Sequence, residues 1–146
     1  MKPTFSTKIQ ASNFSRSYSS ILDILLDKDL AKLGDAYVNF VYSLAESYRN
    51  RRGTNSRAPA KILSESLKRT GLRGLLPKRM SIHDQADAVE ALVVYAWLTG
   101  TLTLEECVSL LSDSGKDDVE LFTGLVGEIV RRLGSSVEEP SKVQGD

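Results

Sequence analysis

The chain has 146 residues, with 19 basic and 19 acidic side chains and 41% apolar residues, the proportions of an ordinary one-domain globular protein. A single cysteine, Cys107, and a single histidine, His83, exclude a disulfide framework, a multi-cysteine zinc site and a His-rich metal site. The longest uncharged apolar run, Ala91 to Leu98, is far short of the ~20 residues needed to span a bilayer, and no apolar centre marks a secretory signal near the start; the expectation is a cytoplasmic protein with no membrane partner.

Residues 1–17 are Ser-rich with few acids and read as a loosely ordered arm. Tyr18 to Leu26 carries Ile21, Leu22, Leu25 and Leu26 at helical spacing. A longer helix is expected from about Asp29, as N-cap, to Tyr48, with an apolar stripe through Leu30, Leu33, Tyr37, Val38, Val41, Leu44 and Ala45. Arg49 to Pro59 reads as a loop, and Pro59 suits the first turn of a helix that ends near Gly71. Gly71 to Met80 is an irregular connector. Ser81 and Asp84 have capping-box-like spacing before a helix of roughly Asp84 to Leu98, stopped by Gly100. Thr103 caps Leu104 to Leu111, and Asp117 or Asp118 starts a last helix through Leu133. Beyond Gly134 the polar tail is expected to be disordered. No segment alternates as a strand would. The reading is an all-α single domain over residues 18–133.

The net charge of zero hides its distribution. Residues 49–79 carry ten basic groups and one acid, Glu65, whereas residues 80–146 carry four basic groups and thirteen acids. A basic middle of this kind suits a polyanion, although solvated loop and helix positions would give the same composition.

Two segments hold acids where a helix core does not ask for them. Gly34 and Asp35 interrupt the long amphipathic helix, and an interior Gly costs about 1 kcal/mol relative to Ala unless something approaches closely. Asp87 and Glu90 lie three residues apart on one helix face, and eight uncharged residues follow Glu90. A carboxylate at the mouth of a helix that is apolar all round is partly desolvated, at a cost of several kcal/mol unless compensated. Favourable interaction with the helix dipole explains Asp84 and Asp87 well, and Glu90 less well. If the two helices pack, Asp35, Asp87 and Glu90 form an all-oxygen pocket suited to Mg²⁺ or Mn²⁺.

Leu33-Gly34-Asp35-Ala36 resembles the signature helix of the ribonuclease III family, and Ala86-Asp87-Ala88-Val89-Glu90-Ala91-Leu92 resembles its second acidic motif, in the same order and separation. The likeness is to compact, catalytic-domain-only, archaeal-type members and covers roughly Tyr18 to Leu111. It implies a helical endonuclease domain that forms a homodimer through the signature helix around Leu33–Leu44. It also implies Mg²⁺ (or Mn²⁺) ligands at Asp35, Asp87 and Glu90, with Asp87 able to act through water, and hydrolysis of double-stranded RNA to 5′-phosphate and 3′-hydroxyl ends. Lys78 or Arg79, just before the second motif, would approach the scissile phosphate.

The sequence departs from the bacterial pattern at two positions. A glutamate four residues before the signature Asp is Ala31 here, as it is in the mini-ribonuclease III subgroup, and a glutamate three residues earlier is Lys28. The stretch after Leu133 is too short for a double-stranded RNA-binding domain, so RNA would be gripped by Arg49, Arg51, Arg52, Arg57, Lys61, Lys68, Arg69, Arg73, Lys78 and Arg79, by shape more than by sequence. The competing reading, favoured by Ala31 and Lys28, is a non-catalytic double-stranded RNA-binding or RNP-scaffold protein on the same fold.

Overall fold

A computed structural model describes the backbone of residues 18–145 and the side chains of residues 18–134; the expected N-terminal arm lies outside them. The elements are α1 (Ile21–Leu25), α2 (Lys28–Asn50), α3 (Ala60–Arg69), a 3₁₀ turn (Leu72–Leu75), α4 (Ile82–Leu98), α5 (Leu104–Leu110) and α6 (Asp118–Gly145). Every regular element among the described residues is helical, as the periodicity predicts.

The ends differ from the expectations by small, explicable amounts. Asp27, not Asp29, caps α2: its buried carboxylate accepts from the Asp29 and Leu30 amides at 2.9 and 3.2 Å. Asp29 instead falls in the first turn, where an acid complements the helix dipole. At the other end α2 runs to Asn50 and is stopped by Arg51, which adopts the left-handed region at φ 58° without being glycine. Ser81 does cap α4, its hydroxyl accepting from the Asp84 amide at 3.0 Å, so that helix begins at Ile82. Thr103 and Glu106 form a complete capping box on α5. The backbone of α6 continues past Gly134 to Gly145, where the sequence suggests a disordered tail. Gly134 costs about 1 kcal/mol relative to Ala, which weakens the helix there without terminating it.

The core is built around α4. Ala88, Val89, Ala91, Leu92, Val94 and Ala96 are fully buried on different faces of this helix, because α2, α3, α1 and α6 all pack against it. Leu30, Val38, Val41 and Ala45 supply the α2 stripe; Phe122, Leu125, Val126 and Ile129 supply that of α6. Each such Leu, Val, Ile or Phe contributes roughly 1.5–3 kcal/mol by burial. The most extensive packing is between α2 and α4, the two helices that carry the acidic motifs. Two polar side chains enter the core together: Ser64 of α3 donates to Gln85 at 2.7 Å, and Gln85 donates to the Met80 carbonyl at 2.8 Å. That chain of bonds fixes the start of α4 against α3.

Candidate active site

The crossing of α2 over α4 is set by one missing side chain. A Cβ on Gly34 would lie 2.1 Å from the Glu90 carbonyl oxygen, so no other residue allows the two backbones this close. Gly34 therefore explains its own helix penalty, and the close approach carries the next residue, Asp35, to the side of Glu90. Glu90 is only 7% exposed. Burial first, then the negative charges of Asp35 and Asp87, push its carboxyl up to about 7; a hydrogen bond with Asp35 adds to this, and Arg57 pulls the other way. This is a carboxyl in a strained electrostatic position.

Around it opens a cavity of about 450 Å³, whose lining includes Asp35, Asp87, Glu90, Lys28, Arg57 and His83. All three acids proposed from the motifs reach this cavity, but they are engaged differently. Asp35 accepts from the Arg57 guanidinium at 3.0 Å and from the Asn39 amide at 2.9 Å. Asp87 pairs with Lys28 at 3.1 Å, and the same ammonium pairs with Asp84 at 3.0 Å. Those two carboxylates raise the Lys28 pKa above its ordinary value, with the Asp84 hydrogen bond the largest cause. Glu90 makes no salt bridge among the described residues.

No group of three or more His, Cys, Asp or Glu side chains converges as a metal cage among the described residues. The donors present nevertheless suit a hard cation. Mg²⁺ keeps most of its waters and takes one or two carboxylates, and Asp35 beside Glu90 is such a pair. Glu90 also has the chemistry of a ligand waiting for positive charge, since nothing among the described residues fully compensates its ionised form. Ala31, one turn before Asp35 on α2, lines the same cavity with a methyl group only.

Helical periodicity alone does not show how the loop before α3 is positioned. Along α2, Asn39, Ser43, Glu46 and Ser47 form a polar stripe that hydrogen-bonds that loop. The Ala58 amide donates to Asn39 at 2.7 Å, the Ser56 amide to Ser43 at 2.9 Å and the Thr54 amide to Ser47 at 2.9 Å; Ser56 also donates its hydroxyl to Glu46. Asn39 thus bridges Asp35 and the loop that delivers Arg57. The available signal was spacing: Asn39 is four residues after Asp35, hence one turn along the same face.

The ten basic residues divide. Arg49 donates to the Leu111 carbonyl, Arg73 to the Pro77 and Lys78 carbonyls, and Arg57 to Asp35, while Arg69 forms an ion pair with Glu65 at 3.5 Å. Arg51, Arg52, Lys61, Lys68, Lys78 and Arg79 are exposed and form no ion pair among the described residues. Lys78 and Arg79 do not line the acid cavity, whereas Arg57, Lys28, Lys32 and His83 do.

A family profile described as Ribonuclease III matches residues 28–142. The chain belongs to the ribonuclease III family. The match begins at the first residue of α2 and includes both acidic motifs, so the helices that form the cavity are those that define the ribonuclease III likeness. No curated protein matches the chain. Among the described residues no helix is long and apolar enough to cross a membrane.

Proposed function

We propose that this member of the ribonuclease III family is a Mg²⁺-dependent endoribonuclease that cuts double-stranded RNA to 5′-phosphate and 3′-hydroxyl ends. The observation that carries the reading is the Asp35–Glu90 pair, brought together by Gly34 at the mouth of a cavity. Asp35 and Glu90 would hold Mg²⁺, or Mn²⁺, directly and Asp87 through water; when bound, the ion lowers the pKa of a water and offsets charge at the scissile phosphate.

The chain's own residues prepare that site. Asn39 and Arg57 fix the Asp35 carboxylate in place. Glu90, with its carboxyl near 7, gives up a proton as a cation is taken up, so cation binding and proton release are coupled. The exposed Arg51, Arg52, Lys61, Lys68, Lys78 and Arg79 supply phosphate contacts along a duplex, and Arg57 adds one at the cavity. In a homodimer formed through α2, exposed Phe40 together with Trp97, which stacks on Tyr37, would furnish apolar contact area.

The test is to incubate the full chain with a long RNA duplex in Mg²⁺, Mn²⁺ or EDTA, beside Asp35→Asn and Glu90→Gln. Metal-dependent cleavage that both substitutions abolish supports the enzyme. The second reading, a non-catalytic duplex-binding protein, is favoured by Ala31 and by the salt bridges that already engage Asp35 and Asp87. Its signature is retention of the duplex without cleavage in any metal, unchanged in both variants.

A further inference from the structure

On α4, Asp84, Asp87 and Glu90 lie at intervals of three residues; on α2, Lys28, Ala31 and Asp35 run along the facing row. The two rows pair in order. Lys28 meets Asp84 and Asp87 at 3.0 and 3.1 Å, and Asp35 and Glu90 line the cavity together beside the Gly34 crossing. One end of the cavity therefore already has a cation covalently attached to the protein. The other end has two carboxylates side by side.

We propose that Lys28 restricts this cavity to one divalent cation, its ammonium taking up the Asp84–Asp87 end so that only the Asp35–Glu90 end accepts a metal. This inference rests on the metal-binding reading given above. Three carboxylates, Asp35, Asp87 and Glu90, line the cavity and Asp84 stands beside it; Lys28 pairs with Asp84 and Asp87, and Arg57 with Asp35. The charge left over suits a single divalent ion, and Lys32 at the rim reduces it further. Two features keep a second ion out. Asp87 is engaged by the ammonium, which leaves it a water-mediated contact with the ion at Asp35 and Glu90, and the fixed positive charge repels a second ion that would bind it directly. At 3.6 residues per turn, Lys28 lies two turns before Asp35 on the same helix face, so the ammonium is offered to the cavity by the helix itself rather than by a mobile loop. Lys28 is in this sense a positioning residue for the metal site.

The experiment is calorimetric titration of the metal-stripped full chain with MnCl₂, without RNA, with the bound ions counted independently by electron paramagnetic resonance. The proteins are the wild type, Lys28→Arg, Lys28→Ala, Lys28→Glu and Asp35→Asn. Lys28 is exposed at the first position of α2, where an acid suits the helix dipole, and circular dichroism verifies that each variant folds. The expected result is one Mn²⁺ per chain in the wild type and in Lys28→Arg, and none in Asp35→Asn. Lys28→Ala and Lys28→Glu should each take a second Mn²⁺, about tenfold tighter in the Glu variant, the size expected when unit charge is added beside a divalent ion in a solvated cavity. Two ions in the wild type, or one ion at unchanged affinity in both Lys28→Ala and Lys28→Glu, overturns the role of Lys28 and leaves the metal site standing. No ion in the wild type overturns the metal-binding reading, and the inference with it.

Discussion

Two clusters of carboxylates in this molecule behave in opposite ways. At the α5–α6 contact, Arg132 lies between Glu106 and Glu128, with N–O distances of 2.9 and 2.8 Å. Hydrogen bonds from Arg132 to Glu106, and from Arg131 and Arg132 to Glu128, hold both carboxyls down at about 2. At the α2–α4 crossing, burial and neighbouring acids hold the Glu90 carboxyl up at about 7. The first cluster supplies its own compensating charge and is structural. The second is short of positive charge at one position, and a ligand that brings it gains binding energy there.

The largest expected difference is in activity. Glu90→Gln or Asp35→Asn should reduce duplex cleavage at least ~10²-fold, the scale on which loss of a charge-stabilising group acts on a transition state. Glu106→Gln should leave the cleavage rate unchanged. A Glu106→Gln loss equal to that of Glu90→Gln would erase the distinction between the clusters.

Next in size is packing at the crossing. Gly34→Ala forces a methyl group against the Glu90 backbone, where no side-chain movement relieves it. Overpacking costs typically 1–3 kcal/mol, so a clear fall in melting temperature and in cleavage is expected together. Gly124→Ala, whose added Cβ meets nothing within 4 Å, should be neutral or stabilising in the same melting assay.

The two clusters also predict opposite pH slopes. Glu90 is raised on folding, so its favourable contribution is complete below its unfolded value of about 4.5 and is lost as pH rises through about 7. In EDTA, unfolding free energy should fall across that window by up to about 3 kcal/mol, and Glu90→Gln should remove the slope. Glu106 and Glu128 are lowered on folding, so their contribution is present above about 4.5 and is lost as pH falls toward about 2. Arg132→Met should flatten that acid limb and leave the Glu90 window unaltered.

The smallest effect is at the helix end. Arg51→Gly relieves a left-handed φ of 58° in a non-glycine residue and should stabilise by about 1 kcal/mol or less, measured in urea.

Much of the site could be read from the chain because local spacing encodes it. Gly34-Asp35 and Asp87…Glu90 each lie within one or two turns of a single helix, and the apolar run after Glu90 marks α4 as the buried element. Partners distant in sequence could not be read that way. Lys28 and Asp87 are separated by 59 residues, and Arg57 reaches Asp35 only because Asn39 and Ser43 hold the intervening loop against α2. Periodicity has no term for either contact. The same limit applies at the start of α2: residue type suits Asp29 as a cap, but Asp27, two residues earlier, has the non-helical backbone that a cap requires. The helical hydrogen bonds past Gly134 were likewise not encoded in composition.

Whether Glu90 is a ligand awaiting positive charge is decided by its side-chain carboxyl titration, followed by ¹³C NMR with and without Mg²⁺. A midpoint near 7 in EDTA that falls when Mg²⁺ is added, and fails to fall in Asp35→Asn, is the predicted result. A midpoint near 4.5 in EDTA that Mg²⁺ leaves in place would show that Glu90 is an ordinary solvated carboxylate and no ligand.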